Sequence, residues 1–151
     1  MMNIRLIIFD FDGTLGDTRR NIVMTLQQTM QEKHLPVIDD VRCAATIGLT
    51  LKDSFKTLFP HLRDEEAEDV TEPKPNPEPV LKTLVALGFA ADDTLVVGDM
   101  PVDILMGRNA GTRTCSVTYG NASCQQLEEA GADFIIDGMD KPINTIFNGQ
   151  E

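Results

Sequence analysis

Apolar and polar residues alternate in blocks along this chain, and the blocks predict strands and helices in turn. Residues 4–9 form a nearly continuous apolar run that ends in Asp and Gly. Such a run is typical of a strand that is covered on both faces in a parallel sheet. Between residues 17 and 35, apolar residues recur about every four positions, which predicts a helix that Pro36 ends.

Two further helices are predicted before residue 60. Asp39 or Asp40 is placed to cap a helix that we expect to end near Gly48. Thr50 opens the next helix, with Asp53 three residues later in the spacing of a capping box. This first part of the chain therefore has a helical pattern.

The composition then changes, and the second half of the chain has a different rhythm. The stretch RDEEAEDVTEPKPNPEP is acidic and then rich in proline, which predicts a solvated linker. After it, helices that start near Asn76, Pro101 and Ser123 alternate with strands in TLVVGD, TRTCSVTYG and ADFIID, and a short C-terminal helix is expected after the last strand. This alternation predicts an α/β fold with a mostly parallel sheet.

The same pattern predicts part of the core. We expect the helix after Asn76 to bury an apolar face and to end at Gly88. That face consists of Val80, Leu81, Leu84 and Val85. Three methionines are expected as core filling, namely Met24, Met30 and Met106.

Charge and cysteine content narrow the expected partners. The chain has 151 residues and a formal charge of −11, from 24 acidic against 13 basic residues. An acidic surface repels nucleic acids and anionic membranes, so we expect neither as a partner. The three cysteines have no metal-ligand spacing, which predicts reduced thiols and a cytoplasmic location. An anionic substrate would need a metal or local positive charge in its site.

Acidic residues follow two of the predicted strands. Asp10 and Asp12 come directly after the first strand, and Asp99 and Asp103 follow LVVG. In open α/β sheets, ligands bind beyond the carboxyl ends of the strands. If the two strands are neighbours, up to four carboxylates converge, which is unfavourable unless their charge is compensated. A hard divalent cation such as Mg²⁺ is suited to compensate it.

Other interpretations of these residues are open at this level. A calcium loop is disfavoured, because its sixth and twelfth positions require Gly and Glu, and Leu15 and Asn21 stand there. Asp99 and Asp103 have the alternative role of capping the start of a helix. Lys74, between two prolines, has the alternative of being an ordinary linker lysine.

Three stretches of this sequence resemble motifs of the haloacid dehalogenase superfamily of phosphatases, closest to its phosphoglycolate-phosphatase-like branch. They are DFDGT, PKPNP and GDMPVD. The resemblance implies a Rossmann-like parallel sheet with helices on both faces, formed by residues 1–16 and 70–151. It implies a small, truncated helical cap with a linker over residues 17–69. The implied activity is Mg²⁺-dependent hydrolysis of a small phosphorylated metabolite, similar to phosphoglycolate, through an aspartyl-phosphate.

The resemblance also implies roles for individual residues. Asp10 would be the nucleophile. Asp12 would be the general acid and base, and it disfavours dehalogenation, because the dehalogenases of this superfamily carry no Asp there. Lys74 would neutralise Asp10 and the phosphate, and Gly13 and Thr14 would form the phosphate pocket. The implied Mg²⁺ ligands are Asp10, Asp12, Asp99 and Asp103.

One motif of the superfamily has no counterpart in this chain. It is a Ser or Thr at the end of a second core strand, and the 14 residues between Phe59 and Lys74 are too few for it. A strand-helix-strand unit takes roughly 30 residues or more. We therefore expect an internal segment to be absent near EEAEDVTEPKP, which leaves the first strand as an apolar edge. Such an edge predicts a homodimer or a swapped segment. Without the missing segment, the alternative function is that of a remnant that binds Mg²⁺ or phosphate without turnover.

Overall fold

The chain is described by a computed structural model that covers residues 4–61 and 74–139. The described residues divide into two compact units. One contains residues 4–16 and 74–139, and the other contains residues 17–61. The expected C-terminal helix and most of the acidic linker lie outside the described residues. The assignment of these units as catalytic core and cap stays a prediction.

The unit of residues 17–61 is helical. Its helices are α1 (Arg19–Glu32), α2 (Asp40–Ala44) and α3 (Leu51–Leu58). The side chains of Asp39 and Thr50 accept hydrogen bonds from the backbone N–H of Arg42 and Asp53, each at 3.0 Å, so the predicted caps are confirmed. The helices share one apolar cluster of buried residues, formed by Val23, Leu26, Met30, Cys43 and Leu58.

Helix α2 is shorter than predicted, because it ends at Ala44 and not near Gly48. After Ala45, whose N–H still bonds four residues back, the backbone N–H groups of Thr46 and Ile47 bond to carbonyls three residues back. The chain therefore tightens into turns after one and a half helical turns.

The other unit contains a four-stranded parallel sheet. Its strands are β1 (Leu6–Phe9), β2 (Thr94–Gly98), β3 (Arg113–Val117) and β4 (Phe134–Ile136), and they lie in the order β1-β2-β3-β4. The helices are α4 (Glu78–Leu87), α5 (Pro101–Asn109) and α6 (Cys124–Glu129), with a 3₁₀ turn at Ala91–Asp93. The α/β fold class is confirmed. Strand β2 is buried along its whole length, so the core is centred on this strand.

Both faces of β2 belong to apolar clusters. On one face, Val96 packs with Val80 and Leu84 of α4 and with Met106 of α5. On the other face, the cluster of buried residues contains Ile4, Leu95, Val97, Cys115, Val117 and Ile136. This double coverage explains why TLVVG is apolar at almost every position.

Three core predictions are wrong. Met24 is 56% exposed, because α1 presents Val23, Leu26 and Met30 to the core and Met24 is turned about 100° from Val23. Leu81 and Val85 of α4 are also exposed, since α4 buries the neighbouring positions Val80 and Leu84. Met30 and Met106 are buried as predicted.

Strand β1 lies at the end of the sheet among the described residues, as predicted from the sequence. It pairs with β2 from Leu6 opposite Thr94 to Phe9 opposite Val97. Its residues are only partly buried, and Phe9 is 39% exposed. The apolar character of β1 therefore exceeds the burial that this sheet gives it.

Two further properties of the chain concern its surroundings. Cys43, Cys115 and Cys124 are all free thiols, the first two buried and the third exposed. Within residues 4–61 and 74–139, every helix is too short or too polar to cross a lipid bilayer.

Candidate active site

The loop after β1 is a tight turn that brings Asp10 and Thr14 to the carboxyl end of the sheet. The backbone N–H of Asp10 donates to the Val97 carbonyl at 2.8 Å, so Asp10 continues the pairing of β1 with β2. The N–H groups of Leu15 and Gly16 then donate to the Phe11 carbonyl and close the turn. The turn requires Gly13, which has a φ of +82°.

The loop after β2 places Asp99 and Asp103 at the same edge. Asp99 follows Gly98 directly, and Asp103 lies in the first turn of α5. The Oδ2 atom of Asp103 accepts a hydrogen bond from the Met100 N–H at 3.1 Å. Asp103 therefore does cap a helix start, but this role uses only one of its two oxygens.

Lys74 bridges the two loops. Its Nζ lies 2.6 Å from Oδ1 of Asp10 and 2.6 Å from Oδ1 of Asp103. The Asp103 side chain is 1% exposed and the Lys74 side chain 39%, so the ammonium shields a buried carboxylate from one side. The interpretation of Lys74 as an ordinary linker lysine is wrong.

The pKa values in this group follow from burial and charge. Burial acts to lower the pKa of Lys74, but the combined attraction of Asp103 and Asp10 outweighs it, so the pKa of Lys74 is raised. Burial raises the pKa of Asp103, and the pairing with Lys74 opposes this rise without cancelling it. The site thus holds more negative charge than one lysine compensates.

Three carboxylates converge in this group. Asp10, Asp99 and Asp103 each offer one oxygen, and these oxygens lie within 4.8 Å of one another. Asp99 is fully buried, and its Oδ1 has no hydrogen-bond partner among the described residues. A buried carboxylate oxygen without a partner is costly, and three oxygens at this spacing are the donor set that a hard divalent cation accepts. The residues present therefore fit a cation such as Mg²⁺.

The remaining predicted residues have different positions. Asp12 is exposed, and it is not one of the three converging carboxylates. Thr14 is 4% exposed, and its Oγ1 has no hydrogen-bond partner in the described part of the chain. Gly13 packs against the Asp99 carboxylate so closely that a Cβ atom would overlap with Oδ2. The structure thus brings Gly13 to the acidic group, and Thr14 follows it in the same turn with a buried hydroxyl, while Asp12 is exposed.

The sequence reasoning missed the loop after β3. The hydroxyl of Tyr119 donates to the Thr14 carbonyl at 2.8 Å. Asn121 donates to Oδ2 of Asp99 from its backbone N–H at 2.6 Å and from its Nδ2 at 2.9 Å. One signal was available: Tyr119 lies near the end of the predicted strand TRTCSVTYG and Asn121 directly follows it, at the edge where Asp10 and Asp99 were expected.

A comparison with protein families agrees with this geometry. The family model described as haloacid dehalogenase-like hydrolase matches residues 7–67 and 65–117, which is most of the chain.

The chain belongs to the haloacid dehalogenase-like hydrolase family.

Relatives and solved structures are consistent with this assignment. The pyrophosphatase PpaX of Halalkalibacterium halodurans is 39% identical over 203 residues, with 91% of this chain and 94% of that protein covered. A PpaX homologue of Clostridium perfringens is 43% identical over 79 residues, and the match spans 52% of this chain and 36% of that relative. The solved structure of a haloacid dehalogenase-like family hydrolase from Streptococcus pneumoniae matches with a TM-score of 0.80 at 19% identity, covering 99% of this chain and 100% of that one. The predicted family, the fold and the class of enzyme, a phosphatase-type hydrolase, are therefore confirmed.

The comparisons also bear on the absent segment. The alignment with the Halalkalibacterium protein runs over 203 positions and this chain has 151 residues, so at least 52 positions, the difference, have no counterpart here. The two matched parts of the family model meet at residues 65–67, within the predicted junction. Both observations support an internal segment that relatives have and this chain lacks.

Proposed function

We propose that this chain hydrolyses a small phosphorylated compound with the help of Mg²⁺. The observation that carries the proposal is the convergence of Asp10, Asp99 and Asp103 around Lys74 at the carboxyl end of β1 and β2. An anionic substrate that approaches this edge meets the Lys74 ammonium, and Thr14 in the loop after β1 has a buried hydroxyl that is without a hydrogen-bond partner among the described residues. Such groups bind and orient phosphoryl oxygens.

The metal site in this proposal uses residues that are already in place. Asp10, Asp99 and Asp103 would hold the ion with their side chains, and Asp12 would contribute its backbone carbonyl. When bound, Mg²⁺ would neutralise the charge that develops on the phosphoryl oxygens. Support comes from the unpartnered, buried Oδ1 of Asp99, whose desolvation a bound cation would offset.

The proposed chemistry is a two-step transfer. The Asp10 carboxylate attacks phosphorus, an aspartyl-phosphate (an acyl phosphate) forms, and the bond from phosphorus to the leaving oxygen breaks. Asp12 gives its proton to the leaving oxygen and later takes one from the water that attacks the acyl phosphate, which releases phosphate and restores the Asp10 carboxylate. The two Asp residues differ in a way that suits these roles: Asp10 is held by Lys74, whereas Asp12 is exposed.

Inorganic pyrophosphate is the first substrate to test. The support is the name of the Halalkalibacterium relative, pyrophosphatase PpaX. Phosphoglycolate is the second, from the motif resemblance. A cytoplasmic location belongs to the same proposal and is supported by the three free thiols.

The decisive experiment measures phosphate release from pyrophosphate, phosphoglycolate and an aryl phosphate, with Mg²⁺ and with EDTA. We expect Mg²⁺-dependent release that Asp10→Asn abolishes. Asn21→Ala, a change on the exposed surface of α1, serves as a control that keeps the activity. Release that persists in Asp10→Asn would overturn the mechanism.

The second candidate is a remnant that binds Mg²⁺ or phosphate without turnover. The observation that favours it is a gap of at least 52 aligned positions, since the alignment has 203 positions and this chain has 151 residues. The second-motif Ser or Thr is expected in the segment that this chain lacks. Losing one preorganised donor costs about 10² to 10³ in rate. Mg²⁺ binding without phosphate release from any of the three substrates would identify the remnant.

We also propose that a second copy of the chain, or a swapped segment of one, covers β1. The strand lies at the sheet edge, and Phe9, Phe11 and Leu15 near its end are exposed. Unpaired edges of this kind pair with other strands. Sedimentation of the parent chain should show a dimer, and Phe9→Lys should shift it toward monomer; a monomeric parent at micromolar concentration would contradict the proposal.

A further inference from the structure

The loop after β3 forms a third side of the candidate site. Tyr119 reaches the loop after β1 through its hydrogen bond to the Thr14 carbonyl, and Asn121 reaches Asp99 in the loop after β2. Gly120 lies between them, and a Cβ atom at this position would overlap with the Asp99 side chain. The loop is therefore in direct contact with the least exposed carboxylate of the site.

The two oxygens of Asp99 have different surroundings. Oδ2 accepts two hydrogen bonds from Asn121, at 2.6 Å from the backbone N–H and at 2.9 Å from Nδ2. Oδ1 is buried and has no partner among the described residues. Gly13 and Gly120 pack against the same side chain, so it has little room to rotate.

We propose that Asn121 is a positioning residue for the cation site. It engages Oδ2 of Asp99 and thereby reserves Oδ1 for a divalent cation, together with Asp10 and Asp103. The inference rests on the proposed function, because it assigns a role toward the Mg²⁺ that this function uses. The side-chain amide is the part of this contact that substitution can remove, since the backbone N–H stays in every variant.

Asn121 would strengthen cation binding because it keeps the buried Asp99 carboxylate in one orientation. Hydrogen bonds from the residues around a metal ligand fix its orientation, and their loss typically weakens metal binding by about 10- to 100-fold. Asn121→Ala removes the Nδ2 donor and keeps the backbone donor. We therefore expect the lower end of this range, a rise of the Mg²⁺ dissociation constant by about tenfold.

The test measures Mg²⁺ binding by titration calorimetry for the parent, Asn121→Ala and the control Asn21→Ala, without substrate. Terbium luminescence provides a second readout. Tyr119 is the single tyrosine in a chain without tryptophan, and it lies beside the site, so it is the sensitiser for a bound Tb³⁺ ion. We expect Asn121→Ala to weaken Mg²⁺ binding about tenfold and to shift the Tb³⁺ titration in the same direction, with Asn21→Ala matching the parent.

The outcomes separate this inference from the proposed function. A dissociation constant of Asn121→Ala within twofold of the parent would overturn the inference, even if its melting temperature falls, because a merely structural Asn121 would lower only the stability. Failure of the parent to bind Mg²⁺ at millimolar concentration would overturn the proposed function as well. If circular dichroism shows Asn121→Ala to be unfolded, Asn121→Ser replaces it, and binding within twofold of the parent again overturns the inference.

Discussion

Lys74 gives the sharpest test of the charge balance in the site. Its ammonium lies 2.6 Å from both Asp10 and Asp103, and the Asp103 side chain is 1% exposed. Lys74→Met keeps much of the aliphatic chain and removes the charge. The variant therefore leaves a buried carboxylate without its cation, while its packing changes little.

The expected loss of stability in Lys74→Met follows from how deeply the ion pair is buried. Removing one partner of a fully buried ion pair costs about 3–5 kcal/mol. The Lys74 side chain is 39% exposed, so water takes over part of its role, and we expect a loss of about 2 kcal/mol. For a domain of this size, that lowers the urea midpoint by about 1 M.

The assay is urea unfolding at pH 7 in EDTA, followed by circular dichroism. Lys82→Met is the matched control, because Lys82 pairs with Glu78 on the surface, where the two side chains are 74% and 49% exposed. We expect it to change stability by less than about 0.5 kcal/mol. Asp103→Asn, added to Lys74→Met, removes the unpaired charge and keeps an acceptor for the Met100 N–H, so it should restore about 1 kcal/mol.

The reasoning fails if Lys74→Met is as stable as Lys82→Met. It also fails if Asp103→Asn has the same effect with and without Lys74, because the two side chains would then be energetically independent.

Three further predictions concern single residues. Gly13→Ala should lower the free energy of unfolding in urea by about 2 kcal/mol or more, since φ is +82° and a Cβ would overlap with Asp99. The control Gly88→Ala, with φ +71° and open space around it, should lower it by only about 1 kcal/mol. Equal losses would contradict the overlap. Burial raises the pKa of Cys115 to about 12, above the unfolded value of 9.0, so its contribution to stability is full below pH 9 and falls by about 1.4 kcal/mol per pH unit above it. The parent should therefore lose stability between pH 9 and 11 more steeply than Cys115→Ala, and parallel curves would refute this. Cys124 is exposed and should react with a thiol reagent in the folded chain, whereas Cys115 should react only after unfolding.

Local features of the fold were predictable because their signals lie within a few residues. Thr50 accepts a hydrogen bond from the Asp53 N–H, as their spacing predicted. Near Ser123 a helix start was predicted, and Ser123 accepts from the Gln126 N–H and donates to the Gln126 side chain there. Gly88 ends α4 with a positive φ, also as predicted. Each of these contacts depends on the chain's own backbone and not on distant packing.

The helix faces were only partly predictable. Helix α4 has apolar residues on two adjacent faces, and periodicity does not show which of them the sheet covers. Val80 and Leu84 pack against the sheet and are buried, and Leu81 and Val85 are exposed. The choice depends on how β1 and β2 lie beneath the helix, which is a property of the tertiary structure.

The residues of the candidate site were also only partly predictable from the sequence. Asp10, Asp99 and Asp103 were predictable as a group, since the ends of neighbouring parallel strands share one edge. The contact between Asn121 and Asp99 was not, because it depends on the path of the loop after β3. It joins residues 22 positions apart through a side chain that no motif marks.

The pairing of β1 with β2 has a consequence for how the length of this chain can change. Phe9 ends β1 and Thr94 begins β2, so the sheet closes a loop of 84 residues between these two positions. The entropy of closing a flexible loop grows only with the logarithm of its length, by about 0.6 kcal/mol for each doubling. Adding some 50 residues to this loop therefore raises the closure cost by about 0.4 kcal/mol, and removing as many lowers it by about 0.8 kcal/mol. Loop entropy hardly opposes such a change in length at this point of the fold, and the larger cost is the apolar edge that it leaves at β1 in the described sheet.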